Sequence, residues 1–282
     1  EDRGGAHPRG AGSDVRLGRV GGEVLYREDH GRSGAVGVMG RLLRAEMYRL
    51  VHERQFPFAL LVILGLYQFM YMGGSYYALQ GFDALTRSMV AVRLGCVLLV
   101  AAMFGGSYLA EDFEARTFQS HVVDGATRGQ ALLARLLVFY VAELLLVMAF
   151  PLAYTLYCTL ANGGWGGGGW GAQGGDPLSF LAYVAAALAA VAACAAVSGL
   201  AAVLSRSVRT TVACAGGVVA AQWLLTMSGL EVTAPLLWLP LPALDWANSG
   251  QLPTACALVV SVAWACVLTT AALLVVRRGD LA

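Results

Sequence analysis

Two ionisable residues, Arg93 and Glu143, stand inside long apolar stretches of this 282-residue chain. A charge within such a stretch is costly unless it is paired or used, so these residues are the first candidates for chemistry. If the stretches cross a bilayer as antiparallel neighbours, Arg93 lies about 6 Å below one face and Glu143 about 18 Å above the other. The remaining axial offset of roughly 6 Å is within reach of an extended arginine. We predict an Arg93–Glu143 ion pair that fixes two helices; the alternative is that one of them lines a substrate path.

Familiar catalytic motifs are incomplete in this chain. His52 and Glu53 begin like the zinc-protease pattern HExxH, but Phe56 stands where the second histidine must be. One histidine and one carboxylate cannot build a catalytic zinc site. All 19 basic residues are arginine, which excludes a Walker A phosphate loop because that loop needs a lysine. We therefore expect no catalytic residue, no metal and no cofactor in this chain, and no enzyme activity of its own.

A charged island, residues 111–135, separates two apolar stretches. We predict that its acidic start closes one helix and that residues 116–123 form a short helix with an apolar face. We predict a turn at residues 124–125 and a cap for the next helix at Thr127. The alternative is an ordinary solvated connector, but a connector does not need the apolar side chains of that short helix.

The elements that position these residues are long apolar helices. The chain is 58% hydrophobic and 13% charged, whereas soluble domains carry about 25% charged residues. We predict an all-α membrane protein with six transmembrane helices, because each apolar stretch exceeds or approaches the ~20 residues needed to cross a bilayer. The predicted spans are residues 56–72, 89–110, 131–157, 178–204, 212–230 and 254–276.

Arginine placement predicts the orientation of these spans. With the N-terminus inside, eleven arginines flank the spans on the cytoplasmic side, and only Arg87 and Arg93 lie towards the other side. This bias follows the positive-inside rule, so both termini are predicted to be cytoplasmic. We expect the membrane to be the plasma membrane of a bacterial cell. The eleven arginines are Arg41, Arg44, Arg49, Arg54, Arg116, Arg128, Arg135, Arg206, Arg209, Arg277 and Arg278.

Two segments precede the first span. Residues 1–38 are rich in charge and glycine, so we expect a disordered or non-native N-terminal extension. Residues 39–55 predict a basic amphipathic helix that lies in the headgroup plane; the alternative is a cytoplasmic extension of the first span. Its predicted apolar face consists of Leu43, Met47, Leu50 and Val51.

Three further features are compositional. Residues 231–253 hold four prolines and two tryptophans, which predicts a re-entrant or interfacial segment on the outer side. The alanine-rich fourth span permits close helix packing, either at a dimer seam or within the chain. The six cysteines lie in or beside apolar runs and are expected to pack as small buried side chains.

Taken in order, these features resemble the transmembrane subunits of ATP-binding-cassette transporters, namely the type-2 exporter permease family (ABC-2 type permease). The likeness covers residues 39–278. It depends on the amphipathic helix at 39–55, the run EDFEART at 111–117, the continuation DGATR at 124–128 and the proline- and tryptophan-rich segment at 231–253.

The resemblance implies that residues 56–278 are a permease domain whose cytoplasmic coupling loop, residues 111–130, docks on a separate ATPase subunit that holds ATP and Mg²⁺. It implies export of a drug, peptide, lipid or similar substrate, and pairing with a second, identical or related permease subunit. The chain departs from the family in having Arg116, where glycine is frequent, and Arg135, where lysine is frequent. By resemblance, the residues facing the ATPase are Glu114, Arg116, Thr117, Phe118 and His121.

Two other classes remain open from the sequence. One is a non-transporting membrane sensor or assembly scaffold. The other is a secondary carrier, which is less favoured because the spans hold one acid and show no clear inverted repeat. No feature indicates nucleic-acid binding.

Overall fold

The computed structural model of the chain describes residues 35–71, 79–91, 95–114, 127–162, 164–165, 177–228 and 238–278. Within these ranges every regular element is a helix and no strand occurs, which confirms the all-α prediction. We number the nine described helices in chain order. They are α1 Ala35–His52, α2 Gln55–Tyr71, α3 Gly81–Ala91, α4 Gly95–Glu114, α5 Arg128–Ala161, α6 Pro177–Ser205, α7 Val208–Met227, α8 Pro240–Asn248 and α9 Thr254–Arg278.

Four described helices, α5, α6, α7 and α9, are long and apolar enough to cross a membrane. α5 has 34 residues and is therefore about 51 Å long, well beyond the roughly 30 Å hydrocarbon core. α2 is apolar but has only 17 residues, near the lower limit for a span. The predicted first, third, fourth, fifth and sixth spans each correspond to one helix, with both ends within four residues of the prediction. The chain is thus a helical protein of the membrane type.

The predicted second span, residues 89–110, is described in two parts, because residues 92–94 lie outside the described residues. α3 covers its first residues, and α4 begins only at Gly95. α3 packs against α5 and is held near the end of that helix, where Phe82 N donates to Trp165 O over 2.8 Å. Arg93 lies between α3 and α4, outside the described residues.

The alanine-rich helix α6 occupies the centre of the bundle. It contacts α4, α5, α7, α8 and α9, and its small side chains allow those helices to approach closely. At Gly199, an added Cβ would come within 2.8 Å of the Leu136 side chain of α5. The sequence left open whether the alanine-rich helix packs at a dimer seam or within the chain, and packing within the chain accounts for its buried alanines. The buried ones are Ala186, Ala187, Ala190, Ala193, Ala195, Ala196 and Ala202.

The segment at 231–253 contains a short helix, α8, in its described part. Most of its side chains are buried, and it packs against α6, α7 and α9. Its nine residues rise about 14 Å, too little to cross a membrane. Gln222 of α7 accepts a hydrogen bond from Leu241 N over 3.4 Å, so this polar side chain finds a partner on α8.

The apolar face predicted for the first helix is only half correct. Leu50 is buried and Leu43 packs against the core, but Met47 and Val51 are 38% and 68% exposed. The buried face of α1 instead includes Glu46, which is 6% exposed. The helix also begins four residues earlier and ends three residues earlier than predicted.

The structure describes the side chains of five of the six cysteines, and these five divide into two groups. Cys158 and Cys194 are buried, as predicted. Cys214, Cys256 and Cys266 are exposed on the outside of the bundle, so the packing prediction is wrong for these three. Their apolar neighbourhood in the sequence reflects helices whose outer surfaces are themselves apolar.

Several helix ends meet at one end of the bundle, which we name the basic end. Glu114, the last residue of α4, accepts a hydrogen bond over 2.9 Å from Val208 N at the start of α7. Arg277 of α9 lies beside Gly129 at the start of α5, 3.3 Å from where a Cβ on that glycine would stand. The positive-inside prediction requires the flanking arginines to gather in this way. The basic end carries Arg128, Arg206, Arg209, Arg277 and Arg278.

Candidate functional site: a buried charge cluster at the basic end

Charged and aromatic side chains from α1, α4 and α5 meet near the basic end in a group that we name the Asp112 cluster. Four of its members are nearly inaccessible, with exposures of 6% or less, and Arg49 is about one-third exposed. Buried charges persist only when they are paired and hydrogen-bonded. The members are Glu46 and Arg49 of α1, Tyr108 and Asp112 of α4, and Arg135 of α5.

Asp112 joins two arginines from different helices. Nη1 of Arg49 donates to both carboxylate oxygens of Asp112, over 2.7 Å to Oδ1 and 2.8 Å to Oδ2. Arg135 forms an ion pair with Oδ2 of the same carboxylate. One carboxylate therefore bonds α1 and α5 to α4, and these charge-assisted bonds are stronger than neutral ones.

Tyr108 supports this junction with its backbone, ring and hydroxyl. Its carbonyl oxygen accepts a hydrogen bond from Arg135 Nη2, and its ring centroid lies 4.9 Å from the Arg135 guanidinium carbon. That distance is within the range of a cation–π contact. The Tyr108 hydroxyl donates to Glu46 Oε2 over 3.1 Å, which accounts for the acid on the buried face of α1.

Weaker ion pairs surround the cluster. Arg49 Nη2 lies 3.9 Å from Glu111 Oε2, and Arg49 Nε lies 4.0 Å from Glu53 Oε2. The Glu111 side chain is 47% exposed, so water screens its pairing. These outer acids add negative charge around Arg49 but hold it less firmly than Asp112 does.

Sequence spacing produces the cluster. Glu46 and Arg49 of α1 are three residues apart and so share one face of the helix, and Glu53, the first residue after α1, continues that spacing by four residues. α4 and α5 run antiparallel, because Gly105 of α4 lies against Phe139 of α5 while Asp112 lies against Arg135. The charged island that connects the two helices therefore emerges directly beside the cluster.

The start of α5 is fixed by a capping box. Thr127 Oγ1 accepts a hydrogen bond from Gln130 N over 3.3 Å, and Gln130 Oε1 accepts one from Thr127 N over 3.1 Å. This reciprocal arrangement satisfies two backbone donors that a helix N-terminus leaves free. It confirms the cap predicted at Thr127 and sets the register that brings Arg135 to Asp112.

Glu114 is the one predicted ATPase-facing residue within the described range. It is exposed, and its carboxylate accepts the hydrogen bond from Val208 N in the first turn of α7. A negative charge at a helix N-terminus is stabilised by the helix dipole, so Glu114 also ties α4 to α7. The other four predicted residues, Arg116, Thr117, Phe118 and His121, lie outside the described residues.

Glu143 lies deep in the bundle, 2% exposed. Its Oε1 is 3.1 Å from the position of a Cβ on Gly105, so the carboxyl faces that glycine. Gly105 follows the first residue of α4 by ten residues, a rise of about 15 Å. Since Arg93 lies outside the described residues, the Arg93–Glu143 pair stays a prediction.

Sequence reasoning missed the pairing of Asp112 with Arg135. The arginine count places Arg135 on the cytoplasmic flank, and the structure adds that its side chain is 1% exposed and engaged by Asp112. The spacing in the sequence could have predicted this pair. Asp112 is in the last turn of one helix, and Arg135 is two turns after the capped start of the next, so the two residues lie at similar depth if the helices are antiparallel. Glu46 gave no comparable signal, because its buried partner Tyr108 is an apolar-looking residue within the predicted second span.

The site is ionic and structural in character. Carboxylates, guanidinium groups and a phenol hold three helices together, and the described residues contain no group of three or more His, Cys, Asp or Glu that could hold a metal ion. Fold and site together define a helical membrane-type protein with an ion-paired junction at one end of its helices. No protein-family model, curated protein or solved structure matches the chain.

Proposed function

We propose that this protein is the permease subunit of an ATP-driven exporter of the ABC type-2 family. In this proposal it crosses a bacterial plasma membrane six times, with both termini and the basic end on the cytoplasmic side. The ATPase, with its ATP and Mg²⁺, is a separate chain, and a second permease subunit completes the translocation path. The cargo is a drug, a peptide, a lipid or a similar compound.

The observation that carries the proposal is the position of the Asp112 cluster at the base of the charged island. Asp112 lies in the last turn of α4 and Arg135 lies two turns into α5, on either side of the residues that connect these helices. Both side chains are bonded at one junction that includes Arg49. A force applied to this loop would therefore displace α1, α4 and α5 together. A membrane subunit driven by an external ATPase needs a connection of this kind.

The mechanism follows from that connection. Closure of the ATPase dimer would push the two coupling loops together and shift the permease pair between inward- and outward-open states. Glu114 extends the link to α7 through Val208, so the displacement reaches four helices. Placement of the arginine-rich basic end towards the cytoplasm, where the ATPase resides, supports the same orientation.

Copurification tests the proposal. Tagged wild-type protein should bring down a polypeptide with Walker motifs, and Arg116→Glu with Phe118→Ala should release it. The matched control is Arg87→Glu with Phe58→Ala, which changes the same residue types at exposed positions outside the loop and outside the arginines of the basic end and should retain the ATPase.

Other outcomes would point to other classes. Retention of the ATPase by the loop variant would contradict the role of residues 111–130. Purification without any ATPase, together with uptake or efflux driven by an ion gradient, would identify a secondary carrier. Purification without an ATPase and without transport driven by an ion gradient would favour a sensor or scaffold.

A further inference from the structure

Glu143 is a buried acid that the coupling mechanism does not use. It lies 15 residues after the first residue of α5 and 18 before the last, so both ends of the helix are more than about 20 Å away along the axis. Its side chain is 2% exposed. The carboxyl is therefore remote from water at either end of the bundle.

The surroundings of this carboxyl are tightly packed. On α4, Gly105 leaves room for it, since a Cβ there would stand 3.1 Å from Glu143 Oε1 and would collide with the ring of Phe139. On α6, the buried thiol of Cys194 lies close to the Glu143 carboxyl. Among the described residues, Oε1 has no hydrogen-bond partner.

The nearest charged group along α5 itself is already engaged. Arg135, on the same helix, is eight residues away, about 12 Å along the axis, and is paired with Asp112. An isolated carboxylate in such a place carries a large desolvation cost, which protonation removes. The described titratable and charged groups on helices packed against α5 are Arg41, Arg44, Glu46, Tyr48, Arg49 and His52 of α1, Tyr67 of α2, Asp83 and Arg87 of α3, Tyr108, Glu111, Asp112 and Glu114 of α4, Tyr183 and Cys194 of α6, and Cys256, Cys266, Arg277 and Arg278 of α9.

We propose that Glu143 is a proton-binding site within the bundle. Its carboxyl is neutral while α4, α5 and α6 are packed around it, and it releases the proton when these helices separate and water enters. This proposal and the predicted Arg93–Glu143 ion pair exclude each other, and the infrared experiment below decides between them. It goes beyond the proposed function, because it applies equally to an exporter, a carrier or a sensor.

The protonation of Glu143 makes the packing of α4, α5 and α6 depend on pH. At a pH above the range in which a carboxyl in water is protonated, Glu143 holds a proton in the packed arrangement and none in the opened arrangement. By linkage, raising the pH then favours the opened arrangement and lowering it favours the packed one. Glu143→Gln, which is neutral at every pH, should abolish that dependence.

Infrared spectroscopy of the full chain in detergent tests the protonation state directly. At neutral pH, the wild-type minus Glu143→Gln difference spectrum should contain the C=O band of a protonated carboxyl, shifted in D₂O. Glu111→Gln is the control, because Glu111 is 47% exposed and should contribute carboxylate bands. Carboxylate bands from Glu143 would overturn the proposal. If those bands were replaced in the Arg93→Met variant by the band of a protonated carboxyl, the Arg93–Glu143 ion pair would be established instead.

A second measurement uses the wild-type protein and does not depend on a variant that folds. An apolar fluorescent carbodiimide reacts with protonated carboxyls: the acid adds across one C=N bond, its proton moves to nitrogen, and the adduct rearranges to an N-acylurea. Mass spectrometry should find the Glu143 peptide heavier by one whole carbodiimide, with more labelling at lower pH. A protonated-carboxyl band with an unlabelled peptide would still support the proposal, whereas carboxylate bands with an unlabelled peptide would refute it. Neither result depends on an ATPase partner.

Discussion

Asp112 is the shared counter-ion of two arginines, and this makes it the most sensitive residue of its cluster. Arg49 and Arg135 approach the same carboxylate from different helices. Without it, two guanidinium groups would face each other in a region where Arg135 is almost inaccessible. Removing one partner from a buried pair leaves an uncompensated charge, which costs far more than losing an exposed pair.

We therefore predict that Asp112→Asn destabilises the protein by about 3–5 kcal/mol, measured by thermal unfolding of the detergent-purified chain. Glu53→Gln is the matched control, because its oxygen is 4.0 Å from Arg49 at the partly exposed edge, and it should cost about 1 kcal/mol or less. Adding Arg135→Met to Asp112→Asn should recover part of the loss, since it removes the unpaired charge. Equal effects of the two single variants would contradict the bridging role of Asp112.

At this scale the sequence predicted some residues and missed others for physical reasons. Thr127 was predictable because a capping box is local, involving residues three positions apart. The hydrogen bond between Glu46 and Tyr108 was not predictable, because it depends on how α1 packs against α4. The spacing of residues within one helix carries no information on that contact. The predicted apolar face of α1 failed at Met47 and Val51 for the same reason.

At the scale of the elements, close approach of helices depends on small residues. Gly106 of α4 lies against the start of α7: a Cβ there would stand 2.8 Å from Val212 Cγ2 and 3.0 Å from its Cα. Gly217, on the exposed face of α7, has nothing within 4 Å of an added Cβ. The two glycines thus occupy opposite environments within the same helix pair, and long apolar runs predicted these helices without revealing which glycine is in contact.

Gly106→Ala should destabilise the protein by about 1–3 kcal/mol, because the backbone of Val212 must move to admit the methyl group. Gly217→Ala should be neutral or stabilising by about 0.5–1 kcal/mol, since alanine favours a helix interior and meets no neighbour. Thermal unfolding of the two variants under one set of conditions measures the difference. A Gly217→Ala variant as unstable as Gly106→Ala would mean that another chain or helix covers that face of α7.

For the whole molecule, the important property is that its two ends differ. The basic end gathers arginines from the ends of α6 and α9 and from the starts of α5 and α7, together with the Asp112 cluster and the base of the charged island. The opposite end is formed where α3 meets the last residues of α5 and Trp165. A coupling role for the island requires that the basic end face the cytoplasm, so orientation is the property on which the proposed function can most simply fail.

Cysteine accessibility decides that orientation. In a background where the native cysteines are replaced by alanine, Trp165→Cys marks one end and Arg278→Cys the other; Trp165 is 53% exposed and Arg278 is also exposed. A membrane-impermeant maleimide should label Trp165→Cys in intact spheroplasts and Arg278→Cys only after permeabilisation, because arginine-rich flanks stay on the cytoplasmic side. The reverse pattern would put the charged island outside the cell, where no cytoplasmic ATPase could reach it. That result would eliminate the exporter proposal, yet it would leave the protonation of Glu143 intact, since that depends on burial and not on which side faces inward.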